Sequence, residues 1–101
     1  MERIARYGKL TAKQGAADEL AGLLLKAADA LVADPGCIIY LINRQSDQPD
    51  TIWVTELWRS QADLDAALRQ IRGSADVAAA MALVEKAEMV ELDLLGGKFG
   101  N

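Results

Sequence analysis

Two hydrophobic periods alternate along this chain. From about Ala16 to Val32 the apolar residues Ala17, Leu20, Leu24, Ala27, Ala28 and Leu31 follow the i, i+3, i+4 rule, with Asp18, Glu19, Lys26 and Asp29 opposite. That is one face of an amphipathic helix. Thr51 to Trp58 instead has a period of two, in β-branched and aromatic residues. Ile52, Val54, Glu56 and Trp58 fall on one side of that strand, and Trp53, Thr55 and Leu57 on the other. Ser60 then opens a second helix, with Asp63 as an imperfect capping partner and Leu64, Ala67, Leu68 and Ile71 on one side. Gly73-Ser74 interrupts it, and Val77, Ala80, Met81 and Val84 mark another short helix.

The remaining segments complete a plan. Arg3 to Leu10 reads as a first strand, followed by a turn in which Thr11 and Gln14 stand at capping-box spacing. Asp34-Pro35-Gly36 stops the first helix, because proline cannot continue it. Cys37 to Ile42 is apolar on both faces, as in a strand covered on both sides of its sheet. Gln45 to Asp50 reads as a polar hairpin loop. Glu88 to Leu95 is the last strand, with Val90, Leu92 and Leu94 on one face. The order is βαββαβ, a ferredoxin-like α+β domain over residues 1–95 whose four-stranded antiparallel sheet carries its helices on one face. Residues 96–101 form a Gly-rich tail. The uncovered face would leave apolar residues exposed, so a two-fold homodimer with sheets packed together is expected.

Composition narrows the function. The 101 residues suffice for one domain, and 51% of them are hydrophobic. The net charge is −4 with lysine and arginine scattered, which argues against nucleic acid as a partner because phosphate binding needs a basic stripe. Cys37 is the single cysteine, so no intramolecular disulfide or CxxC site forms, and a buried structural thiol is expected. The N-terminus has no signal-peptide pattern and no stretch is apolar enough to span a membrane, so a soluble cytoplasmic protein is expected. Histidine is absent. That removes the usual general base near neutral pH, the commonest metal ligand and the usual proximal haem ligand.

The candidate chemistry therefore rests on other side chains. Glu56 and Trp58 share a strand face just before a helix. Glu56 reads either as a base whose pKa is raised by burial or as a structural carboxylate paired with an arginine. Trp58 reads either as a stacking surface for an aromatic ligand or as a core tryptophan. Arg72 could hold a phenolate or carboxylate, or be solvated at the end of its helix. Tyr40 could donate a hydrogen bond to an oxygenated ring or simply pack, and Asn43, three residues on, faces the other way. Trp53 points away from Trp58, toward the expected dimer interface. Lys98 could reach a pocket mouth or a partner subunit, or lie in a mobile terminus.

The segment Pro35-Gly36-Cys37-Ile38-Ile39-Tyr40 followed by Glu56-Leu57-Trp58 and a helix resembles the antibiotic biosynthesis monooxygenase family, with its PGC-x-x-Y strand and E-x-W strand end. Lys13-Gln14-Gly15 and Gly96-Gly97-Lys98 fit the same picture. The resemblance implies a dimeric α+β barrel and, by analogy with several members, a cofactor-free oxygenase acting on a quinol or polycyclic phenol. In such chemistry the ionised substrate itself donates an electron to O₂. Glu56 or Arg72 would then stabilise the deprotonated substrate, with Trp58 stacked on it. Many members carry two histidines after E-x-W, where this chain has Ala67 and Arg72, so a histidine-dependent step and haem degradation are not expected. A non-catalytic, ligand-binding dimer on the same fold is the rival expectation.

Overall fold

The sheet is built outward from its two central strands. The computed structural model describes residues 3–98, in which β1 (Ile4–Ala12), α1 (Ala17–Ala30), β2 (Cys37–Gln45), β3 (Gln48–Trp58), α2 (Gln61–Arg72), α3 (Ala75–Ala82) and β4 (Val84–Asp93) follow one another. All strand pairs are antiparallel and the order is β2-β3-β1-β4. This is the ferredoxin-like α+β plan, with three helices against one face.

Strand alternation decides which face is which. Leu10, Ile52 and Val54 point toward the helices and pack with Leu20 and Leu24 of α1 and Ala80 of α3 in one core cluster. Ile4 and Trp58 point the same way and pack with Leu64 and Ala67 of α2 in a second cluster. The opposite face has no helix over it. There Tyr7 (44% exposed), Leu41 (54%), Val90 (48%) and Leu92 (40%) stand in water. The apolar residues left open thus come from β1, β2 and β4; Leu57 of β3, although it points the same way, is buried.

Several boundaries differ from those the periodicity suggests. β1 runs on to Ala12, and the α1 N-cap is Ala16 with no side-chain bond, so the Thr11/Gln14 capping box does not form. The turn is made instead by Gly15 at φ 78°, a left-handed conformation that glycine adopts without strain. β4 begins at Val84 and ends at Asp93, because β1 presents ladder groups as far as Ala12, which pairs with Val84. Leu94 lies just beyond β4, its N–H donating to the Arg3 carbonyl. The β2–β3 hairpin is tight: Gln45 pairs with Gln48 across Ser46-Asp47. Pro49 is accommodated because β1 pairs with β3 only from Thr51 onward.

Two serine caps start the later helices. Ser60 Oγ accepts from Asp63 N–H at 3.2 Å and Ser74 Oγ from Val77 N–H at 3.4 Å. Asp63 is further held by Arg59 at 2.9 Å, and the Arg59 N–H donates to the Gly36 carbonyl at 2.8 Å. The approach of the β2 entrance to α2 is close enough to require glycine. A Cβ on Gly36 would sit 2.6 Å from Asp63 Cβ. Gly36→Ala should therefore push Asp63 off its cap and cost about 1–3 kcal/mol, read as a lower urea midpoint with an unchanged slope.

Candidate active site between sheet and helices

Four side chains form one row across the helix-facing side of the sheet. Tyr40 of β2 is the cross-strand partner of Glu56 on β3, Glu56 is the partner of Arg6 on β1, and Arg6 is the partner of Glu91 on β4. The rows on either side are largely apolar, with Ile42, Val54, Gly8 and Met89 on one and Trp58 and Ile4 on the other. Above the polar row the helices part, leaving a cavity of about 200 Å³. Arg6, Tyr40 and Glu56 are among its walls, and most of the remainder is aliphatic, including Leu24, Leu68, Ile71 and Val77. Met81 and Met89, half exposed, border it, and Met89 lies over Gly8, where an added Cβ would come within 2.7 Å of its Sδ.

Glu56 is 5% exposed, unusual for a carboxylate, and its partners explain how that is tolerated. Trp58 Nε1 donates to Glu56 Oε1 at 2.9 Å, and Arg6 Nη1 lies 3.8 Å from the same oxygen. Both partners fall on Oε1, and Oε2 has no hydrogen bond among the described residues. Burial pushes the Glu56 carboxyl above its ordinary value; the indole N–H and the Arg6 charge pull it back, and Glu91 adds a smaller upward push. Burial, reinforced by the Glu56 charge, also raises the Tyr40 hydroxyl to about 12, so it remains a donor.

The residues singled out by sequence separate here. Glu56 and Tyr40 line the cavity together. Trp58 does not line it: at 1% exposure it is sealed among Ile4, Leu64 and Ala67, because β3 passes beneath α2 at its last residue while Glu56 faces the gap between helices. Its indole reaches the site only through Glu56. Arg72 is exposed on the last turn of α2 and is not a wall residue, being about a quarter turn from the Leu64–Ile71 stripe. Trp53 is on the open face, donating to Gln45 Oε1 at 2.8 Å, and Asn43, its cross-strand partner, is there too. Cys37 is only partly buried, not sealed in the core as expected, and burial with the nearby Asp34 raises its thiol to about 11. Lys98 is exposed. Arg6 and Met89 were not singled out. The parity of Ile4, Arg6, Gly8, Leu10 and Ala12 was the available signal for Arg6, a charge on an otherwise apolar strand face.

Among the described residues no group of three or more histidine, cysteine or acidic side chains is placed to hold a metal ion, and no helix is long and apolar enough to cross a membrane.

No protein of curated function matches the sequence. Solved structures do. A candidate antibiotic biosynthesis monooxygenase from Chloroflexus aurantiacus J-10-fl is 29% identical, with a TM-score of 0.76 over 96% of this chain and 97% of that one. Another from Deinococcus radiodurans is 24% identical, with a TM-score of 0.74 over 97% and 96%. A variant of SnoaB, a cofactor-independent oxygenase from Streptomyces nogalater, superposes with a TM-score of 0.83 over 96% and 97% at 18% identity, a likeness of fold. The family's sequence profile matches residues 3–82, through the polar row of β1, β2 and β3 and all three helices. This chain belongs to the antibiotic biosynthesis monooxygenase family.

Proposed function

We propose that this protein is a cofactor-independent monooxygenase that oxidises a small quinol with O₂. The observation that carries the reading is the buried Glu56 carboxylate, one oxygen uncommitted, beside Tyr40 and Arg6 in a cavity whose remaining walls are mostly aliphatic. Family membership supports the reaction type. Cavity size favours the smaller of two substrate classes. Drug-sized ligands occupy pockets of about 300–1,000 Å³, whereas this one is about 200 Å³, suited to one or two fused rings.

The chemistry follows from the side chains. Glu56 takes the proton of a quinol hydroxyl, and its raised pKa brings it closer to that of the proton donor. Tyr40 donates to a ring oxygen. The quinol anion passes one electron to O₂, and the radical pair combines at a ring carbon to form a C–O bond. The resulting hydroperoxide loses the hydrogen of that carbon as its O–O bond breaks. Water leaves, with Glu56 returning its proton, and a hydroxyquinone remains. One quinol and one O₂ thus give one hydroxyquinone and one water. The aliphatic wall excludes solvent from the ionised intermediate. Trp58 is a positioning residue that holds Oε1 and leaves Oε2 to react.

The same reading includes a homodimer. Members of the family are generally small-molecule-binding dimers, and the open sheet face carries Tyr7, Leu41, Val90 and Leu92. Two such faces packed together would remove these side chains from water.

Oxygen uptake by metal-free protein with reduced naphthoquinones tests the activity, with ¹⁸O₂ label expected as one atom in the product. Glu56→Gln should lower kcat/KM by about 10²-fold or more. In the wild type kcat/KM should fall as pH drops through the Glu56 pKa, which lies above the ordinary 4.5. Trp58→Phe removes a hydrogen bond that favours the carboxylate, so this acidic limb should move to still higher pH; an unmoved limb would separate Trp58 from the chemistry. Tight binding without oxygen uptake would instead identify a ligand-binding dimer, the reading that the absence of histidine favours. For the assembly, Leu41→Glu with Val90→Glu should give a sedimentation mass of one chain in place of two.

A further inference from the structure

We infer that Arg6 is the anion-holding residue of the cavity, releasing Glu56 in favour of the ionised oxygen of a bound phenol, so that the site selects aromatic ligands able to ionise. The inference rests on the cavity being a phenol site but not on oxygen transfer. Three observations lead to it.

The first is placement. Arg6 lies on a central strand, lines the cavity, and has a side chain only 13% exposed. The second is that its present pairing is poor. Arginine and carboxylate usually meet in two short, parallel hydrogen bonds. Here Nη1 is 3.8 Å from Glu56 Oε1 with no hydrogen bond between them, and Nε is buried without any acceptor. Glu56 Oε1 is already taken by the Trp58 indole. A guanidinium carrying five donors in a fixed fork is thus underused inside an apolar wall, where an unpaired donor is costly.

The third is charge balance. Before proton transfer the cavity holds Arg6⁺ and Glu56⁻ with a neutral phenol. Afterwards it holds Arg6⁺ and a phenolate with neutral Glu56. The number of buried charges is the same, and only the partner of Arg6 changes. Without Arg6 the same transfer would place an uncompensated anion in a low-dielectric space. The other ionisable groups leave Arg6 this role. Tyr40 is a neutral donor and Cys37 a neutral thiol. Glu91 is on the exposed edge strand, and Asp76, at the α3 rim, is 3.3 Å from Lys26. No other lysine or arginine lines the cavity among the described residues.

4-Nitrophenol is a suitable probe, being one ring in size, yellow only when ionised, and no substrate for quinol oxygenation. Bound to the wild-type protein it should show the nitrophenolate band at least about one pH unit below where the free probe ionises. Arg6→Gln should abolish that band and weaken nitrophenolate binding about 10-fold or more, while Arg6→Lys keeps part of it. Glu56→Gln should act in the opposite direction, leaving Arg6 without a counter-charge and making nitrophenolate bind more tightly. A band that survives in Arg6→Gln, a probe that does not bind, or Glu56→Gln weakening nitrophenolate as Arg6→Gln does would each overturn the inference. A band without oxygen uptake on naphthoquinols would overturn the oxygenase reading and leave the role of Arg6 standing.

Discussion

A carboxylate deprived of water is the constraint around which this fold is arranged. Glu56 is on a central strand beneath three helices, where a free charge would be strongly unfavourable. The protein compensates with an indole N–H from two residues along the same strand and a guanidinium from the neighbouring one. Neither partner is on a loop. Both are set by the antiparallel ladder of β1 and β3, whose register runs unbroken from Ile4–Trp58 to Thr11–Thr51. The polar row is therefore as rigid as the sheet, and the second core cluster fixes the Trp58 ring by packing it against Leu64 and Ala67.

On the proposed reading, this arrangement lets a chain without histidine present a base. Histidine brings a suitable pKa with it, whereas a glutamate has to acquire one from its surroundings. Burial supplies the upward shift, and the counterweights of Trp58 and Arg6 limit it. Because the Arg6 contact is long and both contacts share one oxygen, the pair is held without being fully satisfied. An over-satisfied ion pair would be stable and inert. The looseness of this one, beside an apolar space, leaves room for a ligand to complete it.

Much of the fold could be read from sequence because its signals are local. The helical stripe of Leu20 and Leu24, the Ser60 cap, the Gly73 break and the alternation through Ile52, Val54, Glu56 and Trp58 are each set by neighbours within a few residues. The strand ends were not, since Ala12 and Val84 are strand because they pair with each other across the sheet. The site was half legible. Strand parity grouped Glu56 with Trp58 and separated Tyr40 from Asn43, but whether Tyr40 lined a pocket, and whether Trp58 faced a ligand or a helix, depended on where the helices cross the sheet. Arg6 is not legible in this way, because a single charge on a short strand looks like solvent exposure until its neighbours on β3 and β4 are known. Arg72 carried the same charge on a helix that turns it outward.

The position of β4 has a consequence for how the molecule comes into being. β1 is central and precedes the other described elements, while one of its two partners, β4, follows all of them. A nascent chain can pair β1 with β3 and dock α1 and α2 while the other edge of β1 is still bare. Until β4 arrives, Gly8 lacks the covering Met89 and Arg6 lacks Glu91 alongside. Pairing strands so far apart in sequence closes a long loop, an entropically slow step. The cavity wall on that side therefore forms only once β4 has paired with β1. Ligand binding in the finished cavity would hold β1 and β4 together, coupling occupancy of the site to the lifetime of the whole sheet.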